Sequence, residues 1–352
     1  MHSSNHKLVL PAEWQPQSAV MLTWPHDRGA WSKQLDLVDR TFSQIAHEVC
    51  LRQKLLLVCR DKVHQAHVQR CLTQANIPMQ QVIFHCCDSN DSWARDHGPI
   101  TVLQDEEAKL LDFVFNGWGN KFPAQLDNKI NRCLNKAGLF QSMHSVEFVL
   151  EGGAIETDGA GTLLATEFSV LNSNRNACSR QQAEQTLQQE LGIQRFLWLQ
   201  HGHLCGDDTD AHIDTLARFC NPGLIVYQGC QRKDDEHFES LKQMAEELSG
   251  FTQENGEPYK LAALPLPEPV FDTSGQRLPA SYANFLIING AVLAPTYNDP
   301  NDAAALQVLQ QCFPRHDVVG IDCCSLILQY GSLHCVTMQL PQQVQLTSTH
   351  ID

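Results

Sequence analysis

Alternating strand-like and helical runs, and the absence of any linker-like stretch across 352 residues, predict a single domain of the mixed α/β class. Hydrophobic residues at 43% and charged residues at 18% are the balance of a packed globular chain, able to bury a sizeable core. Residues 1–352 are therefore read as one unit.

Near the start of the chain, Val38, Phe42, Ile45 and Val49 recur at helical spacing, so one face of a helix over about Lys33 to Arg52 is apolar. Apolar runs predict strands at Leu55 to Cys59, Leu110 to Phe115 and Gly161 to Thr166. Ser179 then precedes RQQAEQTLQQEL and Gly192 comes after it, the start and stop residues of a helix. Further strands are expected at Leu224 to Gln228, Phe285 to Pro295 and Leu326 to Gln329. Between them, Asp234 and Asp235 open a helical segment through Glu247 that stops at Gly250, and LPLPEP at Leu264 to Pro269 reads as a surface loop. The period of this alternation suggests internal repetition too diverged to align.

Charge and targeting features narrow the function classes. Lys and Arg number 25 against 40 Asp and Glu, a net charge of -15, and no cationic run exceeds two residues, which argues against nucleic-acid binding. The opening MHSSNHKLVLPAEW lacks an export-signal pattern and no apolar run reaches membrane-spanning length, so an unexported protein off the membrane is expected. The 14 cysteines contain no CxxC, and are expected to be mostly reduced, buried thiols.

Five stretches concentrate Gly, Asp, Trp and His beyond what a core needs: DSWARDHGP from Asp91, FNGWGNKF from Phe115, LEGGAIETDGAGT from Leu150, HGHLCGDDTDAHID from His201, and QYGSLHC ending at Cys335. Three His and four Asp within HGHLCGDDTDAHID fit three readings. The stretch could ligate zinc or manganese, it could form a solvated turn, or it could serve acid–base catalysis, with His212 titrating near neutral pH beside Asp214. Cys335 is either one more inert thiol or a nucleophile whose His and Asp partners lie far away in sequence. FNGWGNKF reads as a hairpin-like turn with Trp118 as a platform.

Taken together and in order, PAEWQPQSAVMLTWP, DSWARDHGP, FNGWGNKF, EGGAIETDGAGTLLATE, NRN at Asn174, DDTDAHIDTLARF and LHCVTMQ resemble the agmatine deiminase family and the related bacterial peptidyl-arginine deiminases, within the guanidino-group-modifying superfamily. The resemblance spans nearly the whole chain. It implies a five-bladed α/β propeller (the pentein fold) of ββαβ units around a central pocket. It further implies Cys335 as nucleophile, His212 as general acid and base, Asp96 and Asp214 as guanidinium-binding carboxylates, and Glu151 as the partner that holds His212. Trp93, Trp118 and Asp208 become candidates for contacting the substrate's chain and distal amine. No metal and no organic cofactor is needed, and a cytoplasmic homodimer acting on agmatine is expected. Peptidyl or free arginine is the alternative substrate, and a metal-dependent amidohydrolase or a non-catalytic polyamine binder the alternatives of other classes.

The sequence departs from the family pattern at three places. Gln329, Tyr330, Gly331 and Ser332 replace a glycine run before the cysteine, leaving Gly331 as the residue expected to take a positive φ. Ala211 replaces a Gly and Asp208 a Glu.

Overall fold

A computed structural model describes residues 7–347. Residues 1–6, part of the stretch read for an export signal, lie outside it.

The described residues form five sheets, of four, three, three, three and four strands. One pattern recurs in them: an antiparallel pair, then a helix, then a strand added in parallel. Ile155–Thr157 pairs antiparallel with Thr162–Thr166, which takes Arg195–Leu199 as its parallel neighbour after the helix Arg180–Leu191. Ala217–Asn221, Leu224–Gln228 and Lys260–Leu264 repeat this around the helix Phe238–Gly250. Leu286–Ile288, Ala291–Thr296 and Asp317–Asp322 repeat it around Asp302–Cys312. Another sheet joins Gln17–Thr23 to its parallel neighbour Lys54–Cys59 through the helix Leu35–Cys50, and its antiparallel partner is Thr337–Pro341 from the other end of the chain.

Local chemistry explains the boundaries. Ser179 accepts from the Gln182 amide while Gln182 reaches back to the Ser179 backbone, and Gly192 closes the same helix at φ 72°. Val38, Phe42, Ile45 and Val49 are all fully buried on the inner face of Leu35–Cys50. The helix after Asp234 begins only at Phe238, because Asp235 spends its carboxylate on the His237 amide and on Arg232 and Arg277.

Two expected strands differ. Phe285 to Pro295 is a hairpin, Leu286–Ile288 and Ala291–Thr296, turned at Asn289 and Gly290 with Gly290 at φ 74°. Leu326 to Gln329 lies partly in a short helix, Cys324–Ile327, and partly in the turn at Leu328 and Gln329. The strand near Cys335 instead comes after it, at Thr337–Pro341. Pro265 to Pro269 of LPLPEP form a loop as expected, but Leu264 ends the strand Lys260–Leu264, and Leu264, Leu266 and Pro267 are buried. All 14 cysteines are free, and several, including Cys71, Cys86 and Cys133, are only partly buried. Among the described residues no helix is long and apolar enough to cross a membrane.

Candidate active site

Cys335 lies in the loop just before Thr337–Pro341, and with Asp96, Trp93, Trp118, Asp208, Thr209, Tyr330 and Gly331 it lines a pocket of about 90 Å³. His212 and Asp214 come from the loop before Ala217–Asn221 and meet Asp96 around a single glycine. A Cβ on Gly153 would lie 2.7 Å from His212 Nδ1, 2.9 Å from Asp96 Oδ1 and 3.1 Å from Asp214 Oδ2. Gly153 is thus the space in which three loops bring their polar groups together. Gly152 is excluded from carrying a side chain by the Arg95 carbonyl, 2.3 Å from its Cβ position.

Each group is held from behind. Asp96 Oδ2 accepts from Trp118 Nε1 at 2.9 Å and Oδ1 from the Gly153 amide at 3.1 Å. Cys335 Sγ lies 3.4 Å from Asn284 Oδ1 and 3.9 Å from Asp214 Oδ2. Asp214 Oδ2 takes a 2.8 Å hydrogen bond from His334 Nδ1, and Asp214 Oδ1 has no partner although buried. The Nε2 atom of His212 is likewise buried and unpartnered. Buried polar atoms without partners are costly, and these two lie on the side chains that meet Asp96 at Gly153, so a polar ligand there would satisfy them.

The backbone is shaped to reach these positions. Gly117, Trp118, Gly119 and Asn120 all have positive φ, between 54° and 83°, so FNGWGNKF makes a left-handed turn rather than a hairpin and turns Trp118 onto Asp96. Asp210 and Ala211, at φ 65° and 61°, form a second left-handed pair ahead of His212. Asp207 holds that pair: its carboxylate accepts from the Ala211 amide at 2.6 Å and from Thr209 Oγ1 at 2.5 Å. Before the cysteine it is Tyr330, at φ 65°, that adopts the left-handed conformation. Gly331 is required for another reason, since its Cβ position falls 2.2 Å from Trp93 Cζ3.

The expected link from Glu151 to His212 is not what the structure contains. Glu151 Oε1 accepts from Arg175 Nε at 2.8 Å, and no hydrogen bond to His212 is found among the described residues. Arg175 also binds Asp210 and the Thr209 carbonyl, so Glu151 braces the His212 loop through an arginine. The geometry favours this because a buried carboxylate gains more from a guanidinium than from an imidazole that burial keeps neutral.

In the empty site, burial drives the thiol, the Asp96 carboxyl and the His212 ring toward their neutral forms. Burial, then Asp214 and Asp96, push the Cys335 thiol well above its usual range. Burial, then Asp214 and Glu151, push Asp96 well above the usual carboxylate range. Burial carries His212 down to about 3, in place of the near-neutral titration its sequence context suggests, with Asp214 opposing. Asp214 is held below the usual range: burial would raise it, and His334, His212 and Arg218 together outweigh burial. At the pocket's outer side, burial and Asp207 raise Asp208 to about 7, against Lys121. A cation entering this pocket would oppose the upward shifts of Cys335, Asp96 and Asp208, favouring thiolate and carboxylate together.

Among the described residues the side chains of the His/Asp stretch do not gather around one point; of that stretch only Cys205 sits in a potential ligand group, with Glu236 and His237. His201 binds Glu247 at 2.8 Å and His203 binds Ser240 at 2.8 Å, both away from His212. Sequence reading missed Asn284, Asp207 and His334, each of which touches a pocket group. His334 stood beside Cys335 in LHC, and SYAN before the hairpin carried Asn284 as a polar residue in an otherwise apolar run.

A family model described as Porphyromonas-type peptidyl-arginine deiminase matches residues 9–341. The agmatine deiminase of Pseudomonas aeruginosa is 31% identical over 356 residues, covering 94% of this chain and 95% of the relative. A Porphyromonas gingivalis structure carrying a provisional arginine deiminase name is 47% identical, with TM-score 0.90, over 96% of this chain and 100% of that one. The substrate-bound agmatine deiminase of C. jejuni, a cysteine-to-serine variant, is 35% identical with TM-score 0.88, over 97% of this chain and 98% of that one. The chain belongs to the Porphyromonas-type peptidyl-arginine deiminase family and is kin to the agmatine deiminases.

Proposed function

We propose that this chain is a single catalytic domain, a five-bladed α/β propeller, that hydrolyses agmatine to N-carbamoylputrescine and ammonia through a covalent cysteine intermediate. The observation that carries the reading is a buried thiol that lines the pocket with Asp96 and lies 3.9 Å from Asp214 Oδ2. Two carboxylates that meet at Gly153 beside this thiol match the N–H fork of a guanidinium. The recurrent strand pattern of the five sheets supports the propeller, and the names of the relatives support the substrate.

The electrostatics dictate the chemistry. Binding of the planar cation ionises Asp96 and stabilises the thiolate of Cys335, whose proton passes to His212 as sulfur attacks the guanidinium carbon. The tetrahedral adduct collapses when His212 protonates one terminal nitrogen and the carbon–nitrogen bond breaks, releasing ammonia and leaving an S-alkylthiouronium. Water then adds to that carbon and gives a proton to His212. The carbon–sulfur bond breaks, yielding the urea product and returning Cys335. Trp93 and Trp118 wall the pocket against bulk water, which strengthens each electrostatic contribution.

The pocket lining favours a dication. Asp208 lines it and, among the described residues, no Lys or Arg does, so the lining offers the distal amine of agmatine a carboxylate and offers the α-carboxylate of arginine no guanidinium or ammonium of its own. Ammonia release from agmatine, arginine and a blocked arginine peptide, measured side by side, tests this. The fastest release is expected from agmatine, and faster release from the peptide would overturn the substrate.

A further inference from the structure

We propose that His334 is a positioning residue for deimination: clamped as an imidazolium between Glu13 and Asp214, it keeps Asp214 charged and fixes one of its oxygens, so that the other stays free for the substrate cation. This rests on the deiminase reading above.

Both ring nitrogens face carboxylates. Nδ1 lies 2.8 Å from Asp214 Oδ2 and Nε2 lies 2.8 Å from Glu13 Oε2, and all three side chains are at least 95% buried. Two contacts of that length between nitrogen and carboxylate oxygen need two protons, and a neutral imidazole has one. The triad therefore retains an extra proton. Its place is settled by the flanking groups. Burial would raise Glu13, yet Arg218, His334 and Arg95 hold it well below the usual carboxylate range, and Asp214 is also held down. Arg218 Nη2 pairs with Glu13 Oε2 at 3.0 Å and Arg95 Nη2 at 3.6 Å, while Ile287 donates its amide to Glu13 Oε1 at 2.7 Å. Burial first, then Arg218 and Arg95, pull the ring below its usual range, and Glu13 and Asp214 only partly oppose them; against that pull stand the two short carboxylate contacts. The hydrogen-bond count decides for the imidazolium. Asn284, which accepts from the His334 amide at 2.9 Å, adds no charge.

Glu13 belongs to PAEW near the start of the chain, a motif with no other role in the pocket, and it stands 321 residues from His334. The clamp thereby ties that motif to the guanidinium-binding carboxylate.

Two measurements test the proposal. With histidine labelled in the ring with ¹⁵N and the resonance assigned through His334→Gln, wild-type protein should show His334 with both nitrogens protonated at pH 7; a neutral ring overturns the clamp. In steady-state kinetics, His334→Gln leaves Asp214 buried without its cation. The acid limb of kcat/KM for agmatine should move up by about one pH unit or more, with KM rising further than kcat falls. Glu13→Gln should move the limb in the same direction by less, and serves if the first variant misfolds. Loss of activity in both variants with an unmoved limb would mean a merely structural role and overturn the proposal. Absence of ammonia release by wild-type enzyme would instead refute the deiminase reading, while the ring measurement still decides the clamp.

Discussion

Gly331 lies flat against the indole of Trp93, so close that a Cβ would fall 2.2 Å from Cζ3 and 2.5 Å from Cη2. Trp93 cannot retreat freely, because its other neighbour Trp31 is 5.6 Å away ring to ring and is itself anchored to Asp91 by a 2.8 Å hydrogen bond. Gly331→Ala should therefore push Trp93 into the pocket rather than out of it. We expect kcat/KM for agmatine to fall about 100-fold, with a stability loss of only about 1–3 kcal/mol, read from kinetics and thermal unfolding. Wild-type kinetics in this variant would show that Trp93 does not shape the site.

Arg175 and Glu151 are both essentially inaccessible, at 0% and 1% exposure of their side chains. Arg175→Ala leaves Glu151 buried without its cation and removes the brace on Thr209 and Asp210. The cost should be about 3–5 kcal/mol in urea unfolding, and activity should fall with it because the His212 loop loses its support. A change below about 1 kcal/mol would argue that Glu151 simply takes up a proton in place of the pair.

Asp208, raised to about 7, gives the enzyme a pH-dependent grip on its substrate's tail. Above that pH the carboxylate is charged and attracts a distal ammonium; as the pH falls through it, the group is protonated and KM for agmatine should rise. Asp208→Asn should raise KM about tenfold at pH 8 and flatten this dependence, while butylguanidine, which has no distal amine, should be nearly indifferent to the substitution. Equal effects on both substrates would remove Asp208 from tail recognition.

The resting thiol should be sluggish. Because Cys335 is held well above its usual range in the empty pocket, its alkylation by iodoacetamide should climb about tenfold per pH unit from pH 7 to 9. Peptide mass mapping distinguishes Cys335 from the other thiols. A plateau below pH 8 would indicate a preformed thiolate. Cys335→Ser should lose at least about 1,000-fold in ammonia release while still binding agmatine in calorimetry.

Local signals were legible where the chemistry is local. Ser179, Gln182 and Gly192 mark both ends of a helix by hydrogen bonds that span a few residues, and the structure has those ends. The run Leu326 to Gln329 is too short for periodicity to separate strand from helix, and tertiary packing made it helical. Asn289–Gly290 in the middle of Phe285 to Pro295 was a turn signal that the continuous apolar run concealed. In the site, residue types with evident chemistry drew attention along the chain at Cys335, His212, Asp214 and Trp118, whereas Asp96 entered only through the family resemblance. Supporting groups could not be picked out, because Asn284, Asp207 and Glu13 acquire meaning only through partners or loop conformations that the sequence does not display. The exchange of Glu151's partner from His212 to Arg175 has the same origin: adjacency in space decided between two plausible cations.

The pairing of Thr337–Pro341 with Gln17–Thr23 has a consequence for biosynthesis. Cys335 sits two residues ahead of the strand Thr337–Pro341, so its sulfur and the carboxylates of Asp96 and Asp214 can come together only once the ribosome has made residues 17–341 and strands far apart in sequence have paired.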